Sequence, residues 1–247
     1  MLTFLRKIRK SLIESGSARK YLLYTIGEIA LVVIGILIAL QINNWNQNRI
    51  NELEEEQILQ NLHDEFQLNK IKLNEVREVM ENNQNACREI LDLIGSSKEQ
   101  LVQNNLDSLI HYSTMYIGYN PTQNVLSDLL HSGRLQLITD ETIRNFLFEW
   151  SQVLLEMQEW YTIGDEWFQK QVLPYLSKHT SLRAISSYEE GATVSPSNLV
   201  VDPSLIFNDL QYENFMQNLL FVLQVYVEKL ERIDQVIDEI LVKTTKG

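Results

Sequence analysis

Residues 21–45 read YLLYTIGEIALVVIGILIALQINNW, and from Ile26 to Leu40 the only charge is Glu28. Such a run has to be buried, either in a protein core or in lipid. Tyr21 and Tyr24 stand at one end and Trp45 at the other, as interfacial belt residues do. Tyr24 to Trp45 is 21 helical steps, about 31 Å at ~1.5 Å each, close to the ~30 Å hydrocarbon core. The segment reads as a transmembrane helix. A cleaved signal peptide would carry a shorter apolar region ending in a small-x-small site. Ala39-Leu40-Gln41 lacks the second small residue, so an uncleaved signal anchor is expected.

Arg6, Lys7, Arg9, Lys10, Arg19 and Lys20 precede the span, against Glu14 alone, although the whole chain carries a formal charge of −12. The positive-inside rule then puts residues 1–20 in the cytoplasm and residues 46–247 on the far side. In a Gram-negative cell this is a single-pass inner-membrane protein with a periplasmic C-terminal domain. No acceptor for N-glycosylation occurs, Asn120-Pro121-Thr122 being blocked by its proline, which fits a bacterial source. The acidic balance argues against nucleic acid as a partner. The single cysteine, Cys87, excludes an intrachain disulfide and any multi-cysteine metal site.

Leu2, Leu5, Ile8, Leu12 and Ile13 recur at helical spacing within the basic segment. This fits an in-plane amphipathic helix on an anionic leaflet, or cations that do no more than set orientation. Within the span, Glu28 is the anomaly, since an intramembrane carboxylate has to be protonated, paired or hydrated. Gly35 and Ala39 fall within about 20° of Glu28 around the helix and form a small-xxx-small pair. Three readings stay open: a helix–helix interface through Glu28, Gly35 and Ala39; a carboxylate that snorkels to the headgroups, aided by a hydrogen bond from Tyr24; and a proton or ion path.

KYLLYTIGEIALVVIGILIALQINNW, Lys20 to Trp45, resembles the signature of a bacterial family of single-span membrane proteins of unknown function. Its members share a short basic start and a similar IGEI-to-NNWN run. NVLSDLLHSGRLQLITDETIRNFLFEW, residues 124–150, is similar to a second family segment of helix, Ser-Gly turn, Leu-x-Leu-Ile and helix. The resemblance implies a membrane location. It supplies no activity, cofactor or catalytic residue.

Beyond the span the pattern is helical throughout. Leu59, Phe66, Leu73, Met80, Cys87 and Ile94 form one heptad series, and Leu62, Val76 and Ile90 form another that Asn69 and Asn83 interrupt. Asn43, Asn44, Asn46 and Asn48 crowd the membrane exit, where a bend is possible because asparagine is a weak helix former. Gly95-Ser96-Ser97 closes the first helix, and a second is expected over 98–117 with Leu101, Leu106, Leu109, Ile110 and Ile117 inward. Asn120-Pro121 reads as the start of a short helix that ends at Gly133. Thr139-Asp140-Glu141 opens a third long helix, with acids at its positive end, whose stripe is Phe146, Trp150, Val153, Met157, Trp160 and Trp167, until Pro174 kinks or ends it. Residues 180–204 read as a linker. The last helix, about 208–243, carries Met216, Leu223, Leu230 and Ile237 in one series and Leu219, Tyr226, Ile233 and Ile240 in the other. The expected fold is all-α, with an N-terminal transmembrane helix followed by a helical bundle of about four helices in which the last packs back along the first.

No catalytic, cofactor-binding or metal residue is assigned. His63, His111, His131 and His179 form no His-x-x-x-His or Glu-x-x-His pair. Glu54-Glu55-Glu56 with His63-Asp64-Glu65 reads as a solvated helix face rather than a cation site. His131-Ser132-Gly133 reads as a helix-ending turn, Cys87 as a buried and inert thiol, and the tryptophan stripe as core before ligand groove. The expected partners are the bilayer and either a second copy or another membrane protein. The expected work is scaffolding or sensing without enzymatic output, the alternative being a small transport or channel component that uses Glu28.

Overall fold

The structure is a computed structural model that describes residue 10, residues 18–189, 191–193, 195 and residues 197–245. Of the basic amphipathic segment read in residues 1–20, residues 1–9 and 11–17 lie outside the described residues. The protein is all-α, and no strand occurs among the described residues. It divides into two compact units, Met1–Gln57 and Ile58–Gly247. Helix α1, Ala18–Leu93, contributes to each.

In the first unit, the apolar side chains from Ile26 through Ile42 are exposed on every side of α1. This helix is long and apolar enough to cross a membrane. Asn43, Asn44, Asn46 and Asn48 all lie within it, so the helix is not interrupted at these weak helix formers. Gln47 Nε2 donates to Asn51 Oδ1 at 3.0 Å one turn on.

In the second unit the core is built by α1 from Ile58 onward, α5 (Glu141–Trp167) and α8 (Leu210–Thr244). Between α1 and α5 lie α2 (Lys98–Leu101), α3 (Leu106–Thr114) and α4 (Asn124–Ser132). Between α5 and α8 lie α6 (Leu173–His179) and α7 (Leu182–Ile185). Both heptad series of α8 are buried, Met216 through Ile240, and so are Phe66, Leu73, Met80, Cys87, Leu62, Val76 and Ile90 of α1. The last helix does pack back along the first: Lys70 Nζ lies 2.6 Å from Asp234 and 2.7 Å from Asp238, and His63 Nδ1 lies 3.0 Å from Thr244 Oγ1. Helices α5 and α8 are antiparallel too, with Glu156 paired to Lys229 at 2.8 Å and Glu149 to Arg232. Phe66 meets Trp150 edge-to-face at 4.9 Å, which closes the third side.

Three long helices carry most of this core; the helix expected over 98–117 is broken into α2 and α3, whose Leu101, Leu106 and Ile110 are buried in it as expected. Asn104 Nδ2 donates to the Gln100 carbonyl and Asn105 accepts from the Ser108 N–H, so the asparagine pair ends α2 and N-caps α3. Ile117, expected inward, is 37% exposed. Residues 115–123 form no helix, and α4 starts at Asn124 rather than beside Pro121. Asn69 and Asn83 explain this. Both are fully buried, and each holds the connector: Asn83 Nδ2 donates to the Met115 carbonyl at 2.5 Å, and Asn69 bonds Thr122 twice. The buried Glu65 then accepts from the Val125 N–H at 2.9 Å, placing a carboxylate at the start of α4.

Gly133 ends α4 at φ 72°, a left-handed conformation that favours glycine. Asp140 caps α5 by accepting from the Thr142 N–H at 2.7 Å. Pro174 does not end the helical path. A π turn, Phe168–Val172, precedes it and α6 continues. Proline has no N–H for the carbonyl four residues back and its ring collides with that carbonyl, so a widened turn relieves both problems.

Candidate functional site

Glu28, Gly35 and Ala39 lie on α1 in the first unit. Glu28 is half-buried, whereas Gly35 and Ala39 are exposed. A Cβ on Gly35 would have nothing within 4 Å. The Tyr24 hydroxyl is buried without a hydrogen-bond partner, so the expected bond from Tyr24 to Glu28 does not form.

The histidines stay apart. His131 Nδ1 lies 2.6 Å from the Ser127 carbonyl, while Ser132 Oγ accepts from Arg134 Nε at 3.2 Å; the adjacent pair faces different partners in a helix-ending turn. His179 stacks on Tyr175 at 4.5 Å. Among the described residues no three His, Cys, Asp or Glu side chains converge as metal ligands. Cys87 is fully buried, donates to Asn83 Oδ1 at 3.3 Å, and has its thiol pushed up to about 12 by burial.

The tryptophan stripe of α5 divides in two. Trp150 is 1% exposed and belongs to the core. Trp160 and Trp167, 10 and 17 residues further on, are only half-buried and line an open groove of about 440 Å³ between α5 and α8. Ile163, at 45% exposure, and Phe221, at 52%, flank it. Trp160 meets Phe221 edge-on at 6.4 Å, and Trp167 meets Phe215 edge-on at 5.9 Å. The amide side chains of Gln171 and Asn218 complete the lining. Lys170 and Glu166 also border the groove and pair with each other at 2.7 Å.

The wall behind the groove is stiff. The Tyr116 ring stacks on Tyr161 at 5.0 Å, and its hydroxyl donates to the Tyr161 carbonyl at 3.3 Å. It reaches α5 because Gly164 has no side chain; a Cβ there would lie 2.4 Å from the Tyr116 hydroxyl and 2.9 Å from Val222 Cγ1. Sequence reasoning found Trp160 and Trp167 but missed Gln171, Asn218 and Phe221. A composite groove depends on the register between α5 and α8, which neither helix carries by itself.

A second cavity, about 270 Å³, lies beside the π turn, with His111, Phe168, Leu176 and Ile185 on its wall and Glu189 at its edge. Burial holds His111 below the ordinary imidazole value, with Glu189 pulling the other way.

These features define an all-α protein with a candidate membrane span and a separately cored helical unit that bears an aromatic groove. The chain belongs to the family of unknown function DUF6090, whose model matches residues 28–152. That match takes in the whole of the segment 124–150, and the groove residues lie beyond its end. No curated protein and no solved structure matches the chain.

Proposed function

We propose that this is a single-pass protein of the bacterial inner membrane that works by interaction, as a scaffold or sensor without enzymatic activity. Residues 21–45 act as an uncleaved signal anchor, residues 1–20 face the cytoplasm and the helical unit faces the periplasm. The observation that carries this reading is the contrast between the two units. The apolar side chains from Ile26 through Ile42 are exposed and need lipid, whereas residues 58–245 bury their own heptad positions. The basic residues before the span supply the orientation. A reporter that works only outside the cytoplasm, fused after Gly247, is expected to be active. Activity of a cytoplasm-only reporter at that position would overturn the topology.

Within the membrane, Gly35 and Ala39 offer a face for close approach to a second copy or to another membrane protein, with Glu28 on the same side. The second reading, a small transport or channel component, is favoured by the presence of an ionisable residue, Glu28, in the apolar run of the sequence. A Glu28→Gln variant separates them: loss of ion flux with assembly intact supports transport, and loss of assembly supports the scaffold.

A further inference from the structure

We propose that the groove between α5 and α8 is a carbohydrate-binding site that takes a neutral, β-linked oligosaccharide, with sugar rings seated on Trp160 and Trp167.

The tryptophans set the scale. Trp160 and Trp167 are seven helical steps apart, a rise of about 10.5 Å, which is close to the two-sugar repeat of an extended β-linked chain, so the two indoles fall at alternate sugar rings. An indole presents a broad apolar surface at little entropic expense, suited to the C–H face of a pyranose ring. A purely structural stripe would finish buried, as Trp150 does; Trp160 and Trp167 stay partly exposed, beside an Ile163 and a Phe221 that are more exposed still.

The polar lining selects the ligand. Gln171 and Asn218 each offer both donors and an acceptor, which is what a hydroxyl, itself donor and acceptor, requires. A fully apolar partner would leave these amides stranded on closure. The charges on the lining are Glu166 and Lys170, and they neutralise each other, although the chain as a whole is strongly acidic. Neither an anionic polymer nor a cationic peptide gains from such a surface, whereas a neutral glycan loses nothing. The Tyr116 wedge over Gly164 keeps the α5 wall fixed before binding.

The site rests on the periplasmic placement proposed above only for where such a glycan is met. Binding by the purified protein does not depend on topology, so the two ideas fail separately. The full chain would be placed in lipid nanodiscs, avoiding sugar-headed detergents, and titrated with chitohexaose, cellohexaose and a decaproline peptide by calorimetry and tryptophan emission. Saturable binding of at least one hexasaccharide is expected, weakened roughly tenfold by Trp160→Ala or Trp167→Ala and less by Trp167→Phe. Gln171→Leu, which removes the amide while keeping bulk, should weaken it several-fold. Unchanged circular dichroism in each variant excludes misfolding. Failure of both hexasaccharides to bind, or binding indifferent to both tryptophans, overturns the proposal. Binding of decaproline alone overturns it in favour of peptide docking.

Discussion

Asn69 brackets the peptide groups of Thr122: its Nδ2 donates to the Thr122 carbonyl at 2.8 Å, and its Oδ1 accepts from the Thr122 N–H at 2.7 Å. The side chain satisfies an extended segment as a neighbouring strand would. Two heptads along, Asn83 holds the Met115 carbonyl. Between these clamps, Tyr119 donates its hydroxyl to the Asn69 carbonyl at 3.0 Å and its N–H to the Tyr226 hydroxyl at 3.0 Å. The connector is thereby threaded into the core with its polar groups paired.

Replacing Asn69 by leucine would complete the heptad series, and by pattern alone it should stabilise the protein. The structure dictates the opposite. The partly buried Thr122 N–H and C=O groups would lose their partners, so a loss of about 1–3 kcal/mol is expected. Urea denaturation followed by circular dichroism measures this; a midpoint at or above wild type would show that the clamp contributes nothing.

Gly164→Ala should also destabilise. The new methyl would meet the Tyr116 hydroxyl and Val222 at once, and the stacked Tyr161 blocks the obvious escape of the ring. A loss of about 1–3 kcal/mol is expected for overpacking of this kind. Alanine normally strengthens a helix interior relative to glycine, so a rise in melting temperature would mean that Tyr116 swings aside freely.

Acid should weaken the α1–α8 pairing. Burial opposes ionisation of Asp234, but hydrogen bonds from Lys70 and Arg77 outweigh it and hold the carboxyl below the ordinary 3.8. Lys98, with Ser204, holds Asp202 down at about 2. A carboxyl depressed in the folded state stabilises it above the unfolded value, and that stability is lost as pH falls through the folded value. Stability should therefore drop as pH falls from about 4 towards 2. Asp234→Asn should flatten part of that drop; an identical pH profile in the variant would remove Asp234 from the explanation.

Cys87 should resist thiol reagents at pH 8 in the folded protein, because burial excludes the reagent and keeps the thiol protonated. Labelling should appear only with denaturant. Prompt stoichiometric labelling of the native chain would show that the core around Cys87 opens readily.

The residues that sequence reading placed well are those whose signal is local. The apolar run from Ile26, the buried series of α8 from Met216 to Ile240, the Asp140 cap and the Gly133 stop each depend on spacing or on hydrogen bonds within a few residues of chain. Helical periodicity and capping are one-dimensional properties, so they survive without any knowledge of neighbours.

Where the sequence failed, the deciding partner was distant. Asn69 and Asn83 scan as gaps in a stripe, yet Thr122 and Met115, 53 and 32 residues away, turn them into clamps that unwind the expected helix start at Pro121. Pro174 scans as a kink or an end, and a π turn before it lets the helical path continue. Trp160 and Trp167 scan as core, yet the position of Phe221 and Asn218 on α8 leaves them lining a groove. By itself the sequence determined that the long segments are helical and which face of each is apolar. Only the tertiary structure decided what those faces meet, because the register between helices is set by the simultaneous packing of side chains far apart in the chain.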